Sequence, residues 1–299
     1  RTGSTRLPGK VRLPLAGRPL LQRMVERVAA ARAQAPFDLV VATTTSPDDD
    51  SLVDLCGEIE VPCFRGHPSD LLDRHYQAAR AAGADTVVKI PSDCPLIDPA
   101  VIARVLTFYR ENQGRYDFVS NLHPATYPDG NDVEVIAVEA LLRAHGETER
   151  PIDREHTTPY IVEHPEWFPA RNVRSRDTRD ATRFRHVVDY FEDLVAVNAI
   201  HEALRSDTGG PYGRREIISL LEARPERHRL LLMLTDGKPN DLTGQLIALA
   251  IVVLLTTPFQ AIGEEYLFRG YLAQAFGALT KSRIVAVLVP SVLFGLAHG

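Results

Sequence analysis

The sequence predicts an α/β fold with a mostly parallel sheet and flanking helices, followed by an apolar helical tail. Over residues 1–225, short runs rich in β-branched residues alternate with stretches of helical periodicity, which is typical of βαβ units. Residues 242–299 hold only five charged side chains: Glu264, Glu265, Arg269, Lys281 and Arg283. The chain therefore divides into a charged domain at 1–225, a linker at 226–241 and an apolar segment at 242–299.

The elements of the first domain follow one another in an order typical of an α/β sheet. The pattern predicts strands at 38–42, 61–64, 85–90 and 116–120, with helices that begin at Asp50, cover 70–82 and begin at Pro99. Ligands of such sheets bind beyond the carboxyl ends of the strands. This rule directs attention to the loops after Ile90 and Ser120.

Composition excludes several classes of protein. The chain has 299 residues, and its formal net charge of -5 gives no electrostatic case for a nucleic acid partner. Its three cysteines form no CxxC pair, so we expect no disulfide framework and a reducing, cytoplasmic setting. The opening residues lack an initiator Met and a signal-peptide pattern, which predicts that the chain begins inside its first domain.

The opening segment 3–10 is small, flexible and basic. Its glycines allow backbone N–H groups to approach phosphate oxygens, and Arg6 and Lys10 can neutralise a triphosphate. The commoner meaning of such a segment is a solvated basic turn.

Acidic residues follow two of the apolar runs. Asp93 comes just after the predicted strand 85–90, where a carboxylate suits a Mg²⁺ ion that bridges phosphates. The alternative for Asp93 is a plain Asx turn. Asp189 follows the run at 186–188, and there the alternative is helix capping by Asp189 or Asp193.

Together these segments resemble the cytidylyltransferases of the spore-coat polysaccharide and acylneuraminate type. The resemblance covers roughly residues 1–225 and is carried, in order, by segments 4–10, 41–44, 65–66, 71–74, 93–98, 127–134, 154–160 and 188–189. It implies a Rossmann-like nucleotidyltransferase sheet, transfer of CMP from CTP to a sugar or sugar acid, and release of pyrophosphate. A homodimer is compatible with it.

The resemblance also implies roles for individual residues. Arg6 and Lys10 would hold the triphosphate within a loop that includes Ser4, Thr5 and Gly9, and Asp93 and Asp189 would bind Mg²⁺. Asp132 and Glu134 stand two apart on a strand-like run, so both can face the sugar pocket. The alternative for this last pair is a solvated strand face.

Two features depart from the family pattern. In the family a hydrophobic strand precedes the phosphate loop, whereas this sequence begins at the loop, so we expect the loop to lack its anchor. After Val188 and Asp189 the family has a Thr-Pro-Glu-Asp-Leu-like turn, and this chain has Tyr190-Phe191-Glu192-Asp193-Leu194.

The tail carries two long uncharged runs. Residues 246–262 form a run of seventeen and residues 284–297 a run of fourteen, which are near and below the length that spans a bilayer. Buried core helices are the alternative. Two such runs around Glu264 and Glu265 favour a membrane-associated tail on a cytoplasmic domain.

Residues 242–299 resemble the first two motifs of CAAX-type intramembrane proteases. The resemblance assigns water activation to Glu264, Glu265 and His298, and Arg269 would lie on the turn next to Glu264 in the same protease-like motif. The family's further polar motif is absent after His298, which predicts no peptidase activity. Residues 229–241 look like a von Willebrand factor A fragment without its DxSxS motif, so a linker is the better interpretation.

Three hypotheses follow from these features. The leading one is a Mg²⁺-dependent cytidylyltransferase with a membrane-anchored tail. Its rivals are a CAAX-type membrane protease whose N-terminal domain only binds, and an inactive fused chain.

Overall fold

A computed structural model describes residues 1–4, 6–177, 182–208 and 212–223. Within these ranges no helix is long and apolar enough to cross a membrane. The linker and the apolar segment at 242–299, including both uncharged runs, lie outside the described residues.

The described chain alternates strands and helices. The strands are β1 (Pro14–Leu15), β2 (Arg18–Pro19), β3 (Val41–Thr44), β4 (Cys63–Gly66), β5 (Thr86–Lys89), β6 (Phe118–Ser120), β7 (Glu134–Ala137) and β8 (Ala170–Asn172). The helices are α1 (Leu20–Ala30), α2 (Asp50–Glu58), α3 (Leu71–Ala81), α4 (Pro99–Glu111), α5 (Val138–Glu147), α6 (Pro151–His156), α7 (Pro159–Glu163), α8 (Phe191–Thr208) and α9 (Arg214–Ala223).

The prediction of a mostly parallel sheet is wrong. β3 pairs in parallel with β4, but the largest described sheet is mixed and has the order β5-β7-β6-β8. β7 runs antiparallel to both of its neighbours, and β6 pairs in parallel with β8. The sequence did not predict the antiparallel direction of β7, because the hydrophobic pattern of a strand does not specify in which direction it runs relative to its neighbours.

The mixed sheet still brings the two loops of interest to one edge. β5 and β6 both run against β7, so they point in the same direction and end together. The register places Lys89 opposite Glu134 and Glu134 opposite Ser120. The loops after Ile90 and Ser120 therefore leave from the same side of the sheet, as the sequence predicts.

Local sequence signals explain where the helices beside this edge begin. Asp70 caps α3 by accepting a hydrogen bond from the Asp73 N–H, and Asp98 caps α4 by accepting from Ala100 N–H. Pro99 occupies the first helical position of α4, where its missing N–H costs nothing. The buried side of α4, including Ile102, joins the main apolar core with the sheet.

Candidate active site

Lys10 is the centre of a buried charge cluster at this sheet edge. Its side chain is only 10% exposed, and its Nζ donates to Asp93 Oδ2 at 2.7 Å, Val188 O at 2.8 Å and Asp189 Oδ1 at 3.2 Å. A buried ammonium needs such partners, because an unpaired charge is strongly disfavoured inside a protein. The solvated basic turn is therefore wrong for Lys10.

Two loops from distant parts of the chain bring the carboxylates together. Asp93 follows β5, and Asp189 and Tyr190 precede α8, which begins at Phe191. The N–H of Val188 donates to the carbonyl of Asp93 at 2.8 Å, which joins the loops directly. The Asx turn in this region belongs to Asp98, which caps α4, and Asp93 uses its side chain on Lys10.

Arg6 approaches the same cluster from the open side. Its Nη2 lies 3.0 Å from Asp189 Oδ1, and its guanidinium carbon lies 5.6 Å from the centre of the Tyr190 ring. About half of the Arg6 side chain is exposed. Arg6 and Lys10 thus place two cations against Asp189, and the exposed Arg6 is accessible to an incoming anion.

The opening segment is folded into a tight loop before Lys10. Gly9 adopts a φ of +69°, a left-handed conformation that favours glycine, and its N–H donates to Thr2 O at 2.9 Å. The Ser4 hydroxyl accepts from the Leu7 N–H at 3.3 Å. Thr5 lies outside the described residues.

The expectation that this loop lacks an anchor is wrong, because Asp49 ties it to β3. One oxygen of the Asp49 carboxylate accepts from the N–H and hydroxyl of Thr2, each at 2.7 Å. The other oxygen accepts from Thr43 Oγ1 at 2.8 Å and Thr44 N at 3.0 Å. Burial opposes ionisation of Asp49, but these hydrogen bonds hold its pKa below the usual range.

Sequence reasoning missed Arg185, which holds the other face of the cluster. Arg185 donates to Asp189 Oδ2 at 2.6 Å and Asp193 Oδ1 at 2.8 Å, and its Nε lies 3.5 Å from Asp129 Oδ2. Nearby carboxylates raise its pKa although burial opposes this. A spacing of four residues from Asp189 would predict contact only within a helix, and residues 185–189 form none, so no local pattern identified Arg185.

Asp193, and not Asp189, caps the start of α8; these were the two alternatives that the sequence left open. Its Oδ2 accepts from the backbone N–H groups of Asp189 and Tyr190 at 2.8 and 2.9 Å. The Asp189 side chain is then free of that task and contacts Lys10, Arg6 and Arg185 instead. Helix capping is therefore the wrong interpretation for Asp189 and the right one for Asp193.

Asp132 and Glu134 have different surroundings. Glu134 opens β7 and is buried, where it pairs with Lys89 and accepts from Thr158 Oγ1 at 2.9 Å. A solvated strand face is thus wrong for Glu134. Asp132 is half-buried, and desolvation, with the Asp129 and Glu134 carboxylates, raises its pKa to about 7.

The cluster offers a donor set that fits a divalent cation. Asp93 and Asp189 each place a carboxylate oxygen against the same ammonium nitrogen. Mg²⁺ commonly takes one or two carboxylates and completes its shell with water and phosphate oxygens. Among the described residues there is no group of three metal-ligating side chains, so the remaining ligands would have to come from substrate and water.

The other predicted site is not covered by the structure. Glu264, Glu265, Arg269 and His298 lie outside the described residues.

Two family models match the chain. The model described as Cytidylyltransferase matches residues 1–208, and the model described as Type II CAAX prenyl endopeptidase Rce1-like matches residues 246–299. Both resemblances drawn from the sequence are thereby confirmed. Neither match includes residues 229–241, so the von Willebrand resemblance has no support.

Individual relatives agree with the first match. An uncharacterized protein of Methanocaldococcus jannaschii is 33% identical over 229 residues, which are 76% of this chain and 89% of that protein. Spore coat polysaccharide biosynthesis protein SpsF of Bacillus subtilis is 27% identical, over 76% of this chain and 92% of its own length. The 3-deoxy-manno-octulosonate cytidylyltransferase of Geobacter sulfurreducens is 36% identical over 116 residues, 38% of this chain and 43% of that protein.

A solved structure supports the same conclusion. The structure of a cytidylyltransferase from Leptospira borgpetersenii superposes with a TM-score of 0.70 at 29% identity, covering 76% of this chain and 92% of that one. The cytidylyltransferase model matches well over half of the sequence. The fold, the match and these relatives agree, and the chain belongs to the cytidylyltransferase family.

Proposed function

We propose that this protein transfers CMP from CTP to a hydroxyl group of a sugar acid and releases pyrophosphate, in a Mg²⁺-dependent reaction. The observation that carries the proposal is the Lys10 ammonium held between Asp93 and Asp189 at the edge where β5 ends. Family membership supports the reaction class. The sugar acid is proposed from the names of two relatives, a spore coat polysaccharide biosynthesis protein and a 3-deoxy-manno-octulosonate cytidylyltransferase.

In the proposed reaction, a sugar oxygen attacks the α-phosphorus of CTP. A new O–P bond forms, the bond from the α-phosphorus to the bridging oxygen breaks, pyrophosphate leaves, and the hydroxyl proton passes to water. No protein nucleophile is needed, because this chemistry depends on positioning and on charge neutralisation. Lys10 and Arg6 supply positive charge for the triphosphate, and Ser4 and Gly9 belong to the loop that would approach it.

Asp93 and Asp189 would hold the Mg²⁺ ion. When bound, the ion would neutralise phosphate charge and orient the triphosphate. Lys10 contacts both carboxylates, and Arg6 contacts that of Asp189. We infer that an incoming triphosphate attracts both cations and leaves carboxylate oxygens for the metal.

The direct test is pyrophosphate release with each nucleoside triphosphate against a panel of sugar acids. We expect activity with CTP, loss of activity when Mg²⁺ is chelated, and loss of most activity in Asp93→Asn. Asp85→Asn is the matched control, because Asp85 is exposed and precedes the same strand. Equal turnover by the Asp93→Asn variant and the parent protein would refute the role of Asp93, and activity only with another triphosphate would refute CTP.

We further propose that residues 242–299 attach the transferase to a membrane, with the transferase on the cytoplasmic side. The Rce1-like match at 246–299 and the low charge of this segment support the attachment. A peptidase function is not proposed, because Glu264, Glu265, Arg269 and His298 lie outside the described residues.

A further inference from the structure

A cavity lies outside the Lys10 cluster, between α4 and the chain at β8 and just after it. It has a volume of about 720 Å³, which falls in the range of small-molecule sites. Phe108, Ala100 and Ala103 contribute an apolar wall from α4. None of the residues that line it belongs to the proposed transferase site.

The cavity is strongly basic. Its described lining includes four arginines, Arg104, Arg171, Arg174 and Arg176, against one carboxylate, that of Glu111. Within the described part of the chain, Arg171, Arg174 and Arg176 form no ion pair, and all three are exposed. A local excess of unpaired arginines in a chain of net charge -5 is a concentrated positive field.

Arg104 is held in place at the base of this group. Its Nη1 donates to the Tyr127 hydroxyl at 2.8 Å, and its Nη2 donates to Arg174 O at 2.7 Å. These bonds fix the plane of one guanidinium and tie it to the backbone of another arginine. A fixed fork loses less rotamer entropy when it binds an anion than a free side chain does.

The wall of the cavity is connected to the loop of the candidate active site. Asn172 Nδ2 donates to Pro124 O at 2.8 Å, and the Ser175 N–H donates to Thr126 Oγ1 at 2.9 Å. The segment after Thr126 continues to Asp129, which contacts Arg185. A ligand in the cavity would thus contact residues 172–176, which are hydrogen-bonded to residues 124–126. That second segment leads to Asp129 beside the Lys10 cluster.

We propose that this cavity binds a sugar-sized anion carrying a carboxylate or a phosphate group. Arginine forks match both groups with paired hydrogen bonds, and the apolar face of α4 suits the carbon skeleton of a sugar ring. The proposal is independent of the transferase reaction. The anion can be a sugar acid or a sugar phosphate, because both carry a group that arginine recognises. Titration with one compound of each kind distinguishes them.

The test is calorimetric titration of the full chain with glucuronate, glucose 6-phosphate and neutral glucose. We expect one or both anionic sugars to bind and glucose not to bind at the same concentrations. The double variant Arg171→Ala/Arg174→Ala should weaken that binding by about tenfold or more, since two guanidinium groups that can form charge-assisted hydrogen bonds are lost. Both side chains are exposed, so thermal melting should show a folded variant.

Arg183→Ala is the control, because Arg183 is another exposed arginine and pairs with Glu222 at 2.9 Å, away from the cavity lining. It should bind the anions as the parent protein does. Unchanged binding by the double variant would assign the signal to the Lys10 cluster and overturn the proposal. Failure of both anions to bind the parent protein, or equal binding of glucose, would also overturn it.

Discussion

Arg185 and Asp189 form a 2.6 Å ion pair that fixes the carboxylate shared with Lys10. The guanidinium also bonds Asp193, whose second oxygen accepts the N–H of Asp189. The backbone and the side chain of Asp189 are therefore held by one connected network. The proposed role of Asp189, to meet a metal ion and a phosphate in a fixed geometry, would benefit from such support.

Arg185→Ala should lower kcat/KM for CMP transfer by about 10- to 100-fold, in the range found for lost outer-shell partners of metal sites. The Mg²⁺ concentration for half-maximal activity should rise, because Asp189 loses its orientation. Arg185→Lys should recover only part of the activity, since a single Nζ cannot replace the three guanidinium nitrogens that separately contact Asp129, Asp189 and Asp193. Activity and Mg²⁺ titrations check this, and a variant with wild-type metal dependence would contradict the role.

Lys10→Met should abolish detectable transfer while leaving two carboxylates without their shared cation. Asp93 then loses its contact with the ammonium, while Asp189 keeps its pairs with Arg6 and Arg185. The site gains one negative charge, so Mg²⁺ should stabilise this variant more than it stabilises the parent protein. The measurement is the shift in melting temperature on addition of Mg²⁺ without nucleotide. Adding the Asp93→Asn substitution should remove the extra shift, and its persistence would place the metal elsewhere.

Much of the fold could be predicted from hydrophobic periodicity and capping signals. The strand predicted at 85–90 is observed at Thr86–Lys89, and the helix predicted at 70–82 is observed at Leu71–Ala81. The strand at 38–42 begins later, at Val41, because the parallel pairing with β4 starts there. Pairing partners lie far away in the chain, so local patterns cannot supply them.

The sequence predicted only those site residues that belong to recognisable phosphate-binding or metal-binding motifs. Lys10, Asp93 and Asp189 stand in motifs, and the structure brings their side chains together. Asp49 and Arg185 act by holding other residues, and nothing in their immediate sequence distinguishes them from solvated charges. Their roles depend on contacts across the fold, such as the bonds of Asp49 to Thr2.

Stability should fall as the pH rises from about 4 to 7 through Asp132. Its pKa is raised to about 7, by desolvation first, so the folded protein holds this proton more tightly than the unfolded chain does. The protonated form therefore favours folding, and ionisation near pH 7 opposes it. Asp132→Asn should be more stable than the parent protein at pH 8, by about 1–2 kcal/mol, and similar to it near pH 4.

Denaturant unfolding of the ligand-free protein at both pH values measures this difference. Asp85→Asn, at an exposed carboxylate, should show no such gain at pH 8. A gain of equal size at both pH values would show that the effect of the Asp132 substitution does not come from ionisation.

Glu134→Gln should destabilise the domain by about 2–3 kcal/mol, because it leaves the Lys89 ammonium without its charged partner. Lys89 is only 17% exposed, so water compensates little. The double variant Lys89→Met/Glu134→Gln should recover much of the loss, since no unpaired charge remains. Chemical denaturation of the three proteins checks this, and equal loss in the single and double variants would refute the charge explanation.

The full chain should fractionate with membranes through the uncharged run at 246–262. A lysine in the middle of a spanning helix costs about 2.5–3.5 kcal/mol, so Leu254→Lys should shift the protein toward the soluble fraction. Gln245→Lys adds the same charge just outside the run and should leave the distribution unchanged. Fractionation of expressing cells, followed by carbonate and detergent extraction, measures the distribution. Recovery of the unsubstituted chain entirely in the soluble fraction would refute the membrane assignment, and the run would then have to be buried within a protein core.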